Sequence, residues 1–97
     1  MTDTQIENIK RKAEDLFIEM SFKQINLHNE AIYEYKGGYH KFTFVRGLNG
    51  FVMELADSLD EAKKNRFEDG DLYPISLGEK GILIQLRDDI NKYYLSY

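Results

Sequence analysis

The chain has 97 residues, of which 42% are hydrophobic and 31% are charged, and its formal net charge is −4. Since a chain of this length can bury one core without staples, we expect residues 1–97 to form a single domain. The sequence contains no cysteine, which excludes disulfides and thiolate chemistry. Acids outnumber bases, so nucleic-acid binding is not expected, because phosphate contacts need an excess of Lys and Arg.

Neither a membrane span nor a signal peptide is expected. No apolar run approaches the ~20 residues that cross a bilayer, and residues 1–12 lack the apolar segment of a signal peptide. We therefore expect a cytoplasmic protein that makes no contact with membranes.

The first predicted element is a helix from Thr4 to Met20. Thr4 and Glu7 have the spacing of a capping box, which marks a helix start. Apolar side chains then recur at three- and four-residue steps and form one stripe: Ile6, Ile9, Ala13, Leu16, Phe17 and Met20.

The next part of the chain changes to a period of two, which predicts strands at 22–27, 31–36, 39–46 and 51–57. Turns at 28–30, Gly37-Gly38 and 47–50 would join them into an antiparallel meander. A three-residue first turn would place Ile25 and Leu27 on the buried face, whereas a two-residue turn would place them on the other face. The remaining pairs predicted on the buried face are Tyr35–His40, Tyr33–Phe42, Ala31–Phe44, Phe44–Met53 and Phe42–Leu55.

After the predicted sheet, Ser58 and Glu61 form a second capping-box pattern, followed by a short helix over residues 59–66. Residues 67–74 are predicted to form a loop, since they contain Asp-Gly and the only proline. Ser76 and Glu79 then mark a C-terminal helix, with a strand at Ile82-Leu83-Ile84 as the alternative.

The predicted fold class is α+β. Two longer helices would cover one face of a four-stranded antiparallel sheet, and a short helix would follow the sheet. The second face, which carries Val45 and Val52, would be either covered by a helix or open to another chain.

Two groups of residues invite a catalytic or metal interpretation, and the pattern favours neither. His28 and His40 would lie about seven residues apart along the predicted strands, roughly 23 Å at ~3.3 Å per residue. Asp69-Gly70-Asp71 resembles the start of a calcium loop, but Tyr73 and Pro74 occupy positions where an EF-hand needs a ligand and a glycine. We expect no enzymatic activity, no cofactor and no metal.

The most informative segment joins the last predicted strand to an acidic stretch. Residues 1–53 carry seven acids and seven bases, whereas residues 54–97 carry ten acids and six bases, so the entire net charge lies in the second part. Such a patch can attract a basic partner, and Tyr73 could anchor the contact. The predicted protein-binding residues are Asp57, Asp60, Glu61, Glu68, Asp69, Asp71 and Tyr73.

Residues 51–90 resemble small immunity proteins that bacteria encode beside polymorphic secreted toxins. The resemblance lies in the strand end Glu54-Leu55-Ala56-Asp57, the helix start Asp60-Glu61-Ala62 and the segment Phe67-Glu68-Asp69-Gly70-Asp71-Leu72-Tyr73-Pro74. It implies a single cytoplasmic domain without catalysis that binds a toxin domain and occludes its active site. Because many such toxins are basic nucleases, it also implies a basic protein partner.

Two other functions stay open at this point. The chain could be a structural or regulatory domain, monomeric or dimerising through the open sheet face. It could also be a small enzyme or nucleotide-binding module, which predicts a deep pocket lined by titratable groups with perturbed pKa values.

Overall fold

A computed structural model of the chain describes the backbone of residues 1–95 and the side chains of residues 1–93. It is an α+β fold in which five antiparallel strands follow one another in the order β1-β2-β3-β4-β5. The predicted class and helices are confirmed, but the sheet has five strands and not four. The elements are α1 (Asp3–Glu19), β1 (Lys23–Leu27), β2 (Glu30–Tyr35), β3 (Gly38–Val45), β4 (Gly50–Ala56), α2 (Leu59–Lys63), β5 (Glu68–Pro74) and α3 (Gly78–Ile90).

Helix α1 begins with a capping box, although not at the predicted residues. The hydroxyl of Thr2 accepts a hydrogen bond from the Gln5 backbone N–H at 3.2 Å. The Gln5 side chain in turn accepts one from the Thr2 backbone N–H at 2.7 Å. The prediction that Thr4 and Glu7 form the box was therefore wrong by two residues, because Thr2 and Gln5 satisfy the same motif one half-turn earlier.

The first hairpin places the side chains of β1 on the opposite face from the one predicted. Its turn has two residues, His28 and Asn29, with φ angles of 54° and 62°, and Leu27 pairs with Glu30. Two-residue turns with positive φ match the twist of the strands they connect. Ile25 therefore lies opposite Ile32 on the second face, and the prediction of a three-residue turn was wrong.

The next two hairpins differ from their predicted registers by two residues. Lys36 and Gly37, with φ angles of 49° and 85°, form the β2–β3 turn, so Tyr33 pairs with His40. In the β3–β4 hairpin, a four-residue loop at 46–49 sets Phe42 opposite Met53. Side chains alternate with a period of two, so a shift of two residues leaves every side chain on its predicted face.

Strand β5 occupies the segment that was predicted to be a loop. It pairs with β4 from Gly50–Pro74 to Leu55–Glu68, with a bulge between Val52 and Glu54. The loop prediction failed because an edge strand keeps one side in water and so tolerates acids that a central strand would exclude. Pro74 is compatible with the strand because it lies at the strand's end.

Helices α1 and α3 both pack on the first face of the sheet, as predicted. The rings of Phe42 and Phe51 stack at the centre of this core, 4.8 Å apart. The buried residues of the core are Ile9, Ala13, Leu16, Phe17, Phe22, Tyr33, Phe42, Phe51, Met53, Tyr73, Ile82, Leu86 and Ile90.

The boundaries of the two later helices also differ from prediction. The Ser58 hydroxyl caps α2 by accepting from the Glu61 N–H at 3.2 Å, but α2 ends at Lys63 rather than at residue 66. Helix α3 begins at Gly78 after a 3₁₀ turn at Ile75–Leu77, without a side-chain cap. The Ser76–Glu79 capping box and the alternative strand at 82–84 were therefore both wrong.

The second face of the sheet is covered at one end only. Helix α2 contacts β3 and β4 there, and its Ala62 is fully buried. The Lys41 ammonium lies 3.2 Å from Glu30 and 3.6 Å from Glu54, and 4.5 Å from the centre of the Phe67 ring. Towards the other end, Leu72 on this face is 45% exposed.

Candidate protein-binding site

The acidic residues gather where β4 ends and β5 begins. Asp57 directly follows β4. Glu68 pairs with Leu55, and Asp69 pairs with Glu54. Asp71 lies further along β5 and is exposed like these three residues, so the fold brings four of the six predicted carboxylates onto β5 and the adjoining end of β4.

The remaining two predicted carboxylates are neutralised by bases of α2 and its flank. Asp60 lies 3.0 Å from the Lys64 ammonium, and Glu61 lies 3.9 Å from the Arg66 guanidinium. Exposed pairs such as these contribute only about 0–1 kcal/mol to stability, but they reduce the negative potential around α2. Within the described residues, the carboxylates of Asp57, Glu68, Asp69 and Asp71 form no ion pair.

We call Asp57, Glu68, Asp69 and Asp71 the acidic edge. Three of them belong to β5, which is the last strand of the sheet. Glu68 lies opposite Leu55 on the core side, whereas Asp69 lies opposite Glu54 on the second face. The negative charge therefore surrounds the edge of the sheet on both sides rather than lying on one flat surface.

Tyr73 does not belong to this surface. Its side chain is 1% exposed and packs against Phe42 with ring centres 5.4 Å apart. Its hydroxyl donates a hydrogen bond to Asp89 of α3 at 2.6 Å. The predicted role of Tyr73 as an interface anchor is thus incompatible with its position, and its observed contacts join β5 to α3.

The groups with shifted pKa values are His40 and Tyr33, on the core side of the sheet, and Glu14 of α1. Burial lowers the pKa of the His40 imidazole, and the ring Nδ1 lies 3.1 Å from the Tyr33 carbonyl oxygen. Since a carbonyl only accepts, Nδ1 carries the proton of the neutral ring. Burial also raises the pKa of Glu14, and burial beside Glu14 raises the pKa of the Tyr33 phenol to about 12.

The two histidines do not form a catalytic pair. His40 lies in the core side of β3, opposite Tyr33, which is itself opposite Gln24 of β1. His28 is exposed, two strands away and four residues further along β1. The two imidazoles are therefore apart, although the offset along the strands is four residues and not the predicted seven.

Three open grooves lie on the surface formed by the described residues. One of about 510 Å³ runs between α1 and α3 past Leu16 and Leu83, and ion pairs between Lys12 and Glu79 and between Arg87 and Glu19 join its walls. A groove of about 440 Å³ passes Asp57 and His40. A third, of about 380 Å³, lies beside Asp71 of the acidic edge and is lined by Met53, Leu55, Gly70 and Tyr93.

No group of three or more His, Cys, Asp or Glu side chains in the described part of the chain is arranged to hold a metal ion. Among the helices of residues 1–95, none combines the length and the apolar character needed to cross a membrane. No protein-family model, curated protein or solved structure matches this chain.

The sequence indicated the acidic residues but missed the strand that carries them. The signal available for β5 was the pair Leu72-Tyr73 before Pro74, which alternates between the two faces, but Asp69-Gly70-Asp71 masked it. The predicted site therefore included the acidic side chains of this segment but not the backbone of an edge strand.

Proposed function

We propose that this protein is a non-catalytic inhibitor of the immunity type, which binds a basic toxin domain in the cytoplasm and blocks its active site. The observation that carries the proposal is the acidic edge, where four exposed carboxylates, without an ion pair among the residues that the structure describes, lie along β5 and at the adjoining end of β4. The resemblance of residues 51–90 to immunity proteins, which rests partly on the same acidic residues, agrees with it. The proposed partner is a protein, and neither a nucleic acid nor a membrane.

The proposed mechanism is steric and electrostatic. Carboxylates spaced along a strand imitate the charge of a phosphate backbone, which a basic nuclease site is built to attract. Charge complementarity of this kind raises association rates by about 10–10³-fold at low salt. The effect weakens as the Debye length falls from ~10 Å at 0.1 M salt to ~3 Å at 1 M.

The proposal expects a toxin gene beside the gene of this chain, and the test uses the toxin domain that this neighbouring gene encodes. Co-expression with the chain should restore growth to cells that produce the toxin. The variant Asp69→Lys/Asp71→Lys should associate with the toxin at least about tenfold more slowly. The matched control is Glu7→Lys/Asp88→Lys, which makes the same change in net charge at exposed positions of α1 and α3.

A growth rescue that is unaffected by the Asp69/Asp71 reversal, with association rates equal to those of the control variant, would remove the acidic edge from the mechanism. Failure of rescue by the unmodified chain would remove the inhibitor function itself.

A second candidate function is dimerisation through the uncovered end of the second sheet face. The observation favouring it is Leu72, a large apolar side chain that is 45% exposed, on the same face as the half-buried Ile25, Leu27 and Val45. Light scattering over a concentration series tests it. A dimer that Leu72→Lys dissociates, and that Leu48→Lys in the β3–β4 loop leaves intact, supports this candidate; a monomer throughout excludes it.

A further inference from the structure

Among the residues that the structure describes, no strand pairs with the outer edge of β5. β5 is the last strand in the sheet order, and residues 68–72 form an unbroken run of exposed positions. Along an edge strand, the backbone N–H and C=O groups on the outer side point away from the sheet and are available to pair with another chain. Such edges bind extended segments by adding a strand to the sheet.

The charge of β5 decides which strand it can accept. In an antiparallel pairing of two copies centred on Gly70, Asp69 of one copy would lie opposite Asp71 of the other. Like charges directly opposite each other destabilise a pair of strands, whereas opposite charges stabilise it.

From these two observations we propose that β5 binds an extended, Lys- or Arg-rich segment of its partner as a sixth strand. This inference rests on the proposed function and specifies how the acidic edge engages the basic protein. Backbone hydrogen bonds along Glu68–Leu72 hold the segment, and side chains alternating between the two faces meet Glu68 on one side and Asp69 on the other.

The opposite edge of the sheet supplies an internal comparison. β1 also has an unpaired edge, but it carries Lys23 with Gln24 and Asn26 and has no acidic side chain. A basic strand therefore gains favourable charge pairs at β5 and none at β1. Pairing should be confined to one edge of the sheet.

The experiment titrates the whole protein with a synthetic peptide that repeats Lys-Lys-Val-Val, which presents Lys on both faces of a strand, and follows amide hydrogen exchange by NMR. Amides of β5 that point outward should exchange about tenfold or more slowly in the complex, while those of β1 stay unchanged. Two control peptides separate the effect of charge from the effect of backbone pairing. One replaces Lys by Glu, and the other keeps Lys but is N-methylated at every residue, so that it retains its side-chain charge and donates no backbone hydrogen bond from either edge.

Protection of the β5 amides by the Lys peptide, and by neither control peptide, supports the inference. Equal binding of the N-methylated peptide, or binding without protection of β5, overturns strand addition and leaves the electrostatic inhibitor intact. No binding of the Lys peptide also overturns it. The proposed function is decided separately, by rescue of growth against the toxin.

Discussion

The Tyr73 side chain connects β5, which carries most of the acidic edge, to helix α3. The Tyr73 ring is buried among core aromatics, and its hydroxyl donates to the half-buried carboxylate of Asp89 at 2.6 Å. Gln85 donates to the other oxygen of the same carboxylate at 3.0 Å. The Asp89 carboxylate therefore connects β5 to α3.

Removing the hydroxyl should weaken this connection without disturbing the core. We expect Tyr73→Phe to lower the free energy of unfolding by about 1–2 kcal/mol, because a hydrogen bond to a charged group is lost while the ring stays packed. Urea denaturation measures the change. Tyr93→Phe is the control, since the Tyr93 side chain is 48% exposed; equal effects of the two variants would contradict a special role for Tyr73.

His40 gives the fold an expected sensitivity to acid. Its folded-state pKa is lowered by burial below the ordinary value of 6.5, so below pH 6.5 the unfolded chain binds a proton that the folded chain does not. The stability contributed by the neutral ring is present above pH 6.5 and is lost as the pH falls through the folded-state pKa, with a slope of at most ~1.4 kcal/mol per pH unit.

The measurement is the free energy of unfolding at several pH values from 7.5 down to about 5. His40→Asn should reduce the slope below pH 6.5 relative to the parent protein. His28→Asn, at an exposed turn position, should leave the slope as it is. A parent slope that His40→Asn does not change would assign the acid sensitivity to other groups.

At the level of elements, the β4–β5 pair depends on two close approaches of backbone to glycine. A Cβ at Gly50 would lie 2.8 Å from the Tyr73 carbonyl oxygen and 2.9 Å from the Leu72 side chain. A Cβ at Gly70 would lie 2.8 Å from the Met53 carbonyl oxygen. Because these neighbours include backbone, they can move only if the strands move.

We therefore expect Gly50→Ala to destabilise the protein by about 1–3 kcal/mol through overpacking against β5. Gly47→Ala is the matched control, since a Cβ there meets nothing within 4 Å, and its effect should be within about 1 kcal/mol of zero. Thermal unfolding distinguishes them. Similar melting temperatures for the two variants would show that β5 accommodates the methyl group.

Strands β3, β4 and β5 show where prediction from the sequence succeeds and where it fails. Alternation of apolar residues in β3 and β4 was sufficient to predict both strands and their buried face. It could not give the register of the β2–β3 hairpin, because a turn at Lys36-Gly37 and a turn at Gly37-Gly38 place the same side chains on the buried face. The strand nature of residues 68–74 is decided by pairing with β4, which overrides the local preference of Asp-Gly for a turn.

For the candidate site, the sequence predicted its charge and not its geometry. The acids were evident from composition, but the pairing of Asp60 with Lys64 depends on one helical turn. The burial of Tyr73 follows from β5 lying against α3. The second of these contacts cannot be inferred without knowing that β5 is a strand.

At the scale of the whole molecule, two helices far apart in sequence close the core together. Lys12 contacts Glu79, and Glu19 contacts Arg87, so α1 and α3 run side by side in the same direction. Beneath these ion pairs lie the fully buried Ile82 and Ala13. The domain is complete only when the last helix has docked against the first.

Apolar packing, rather than the ion pairs, should hold the two helices together. Ile82→Ala should cost about 2–5 kcal/mol of unfolding free energy because it leaves a cavity in the core. Lys12→Ala should cost about 0–1 kcal/mol because it removes an exposed ion pair. Chemical denaturation of both variants compares the two contributions, and a larger cost for Lys12→Ala would reverse this interpretation.

The side-by-side direction of α1 and α3 also gives the molecule an electrical polarity. Asp3, at the start of α1, contacts Arg46 just before β4, whereas Phe22, just beyond its end, packs on His40; Tyr93, beyond the end of α3, lines a groove with Asp57. Both helices thus point the carbonyl ends of their backbones, each equivalent to about half a negative charge, towards the end of the sheet that holds the carboxylates. Peptide dipoles and ionised side chains add at one pole, so that a cationic body would be turned to face that pole before any atoms touch.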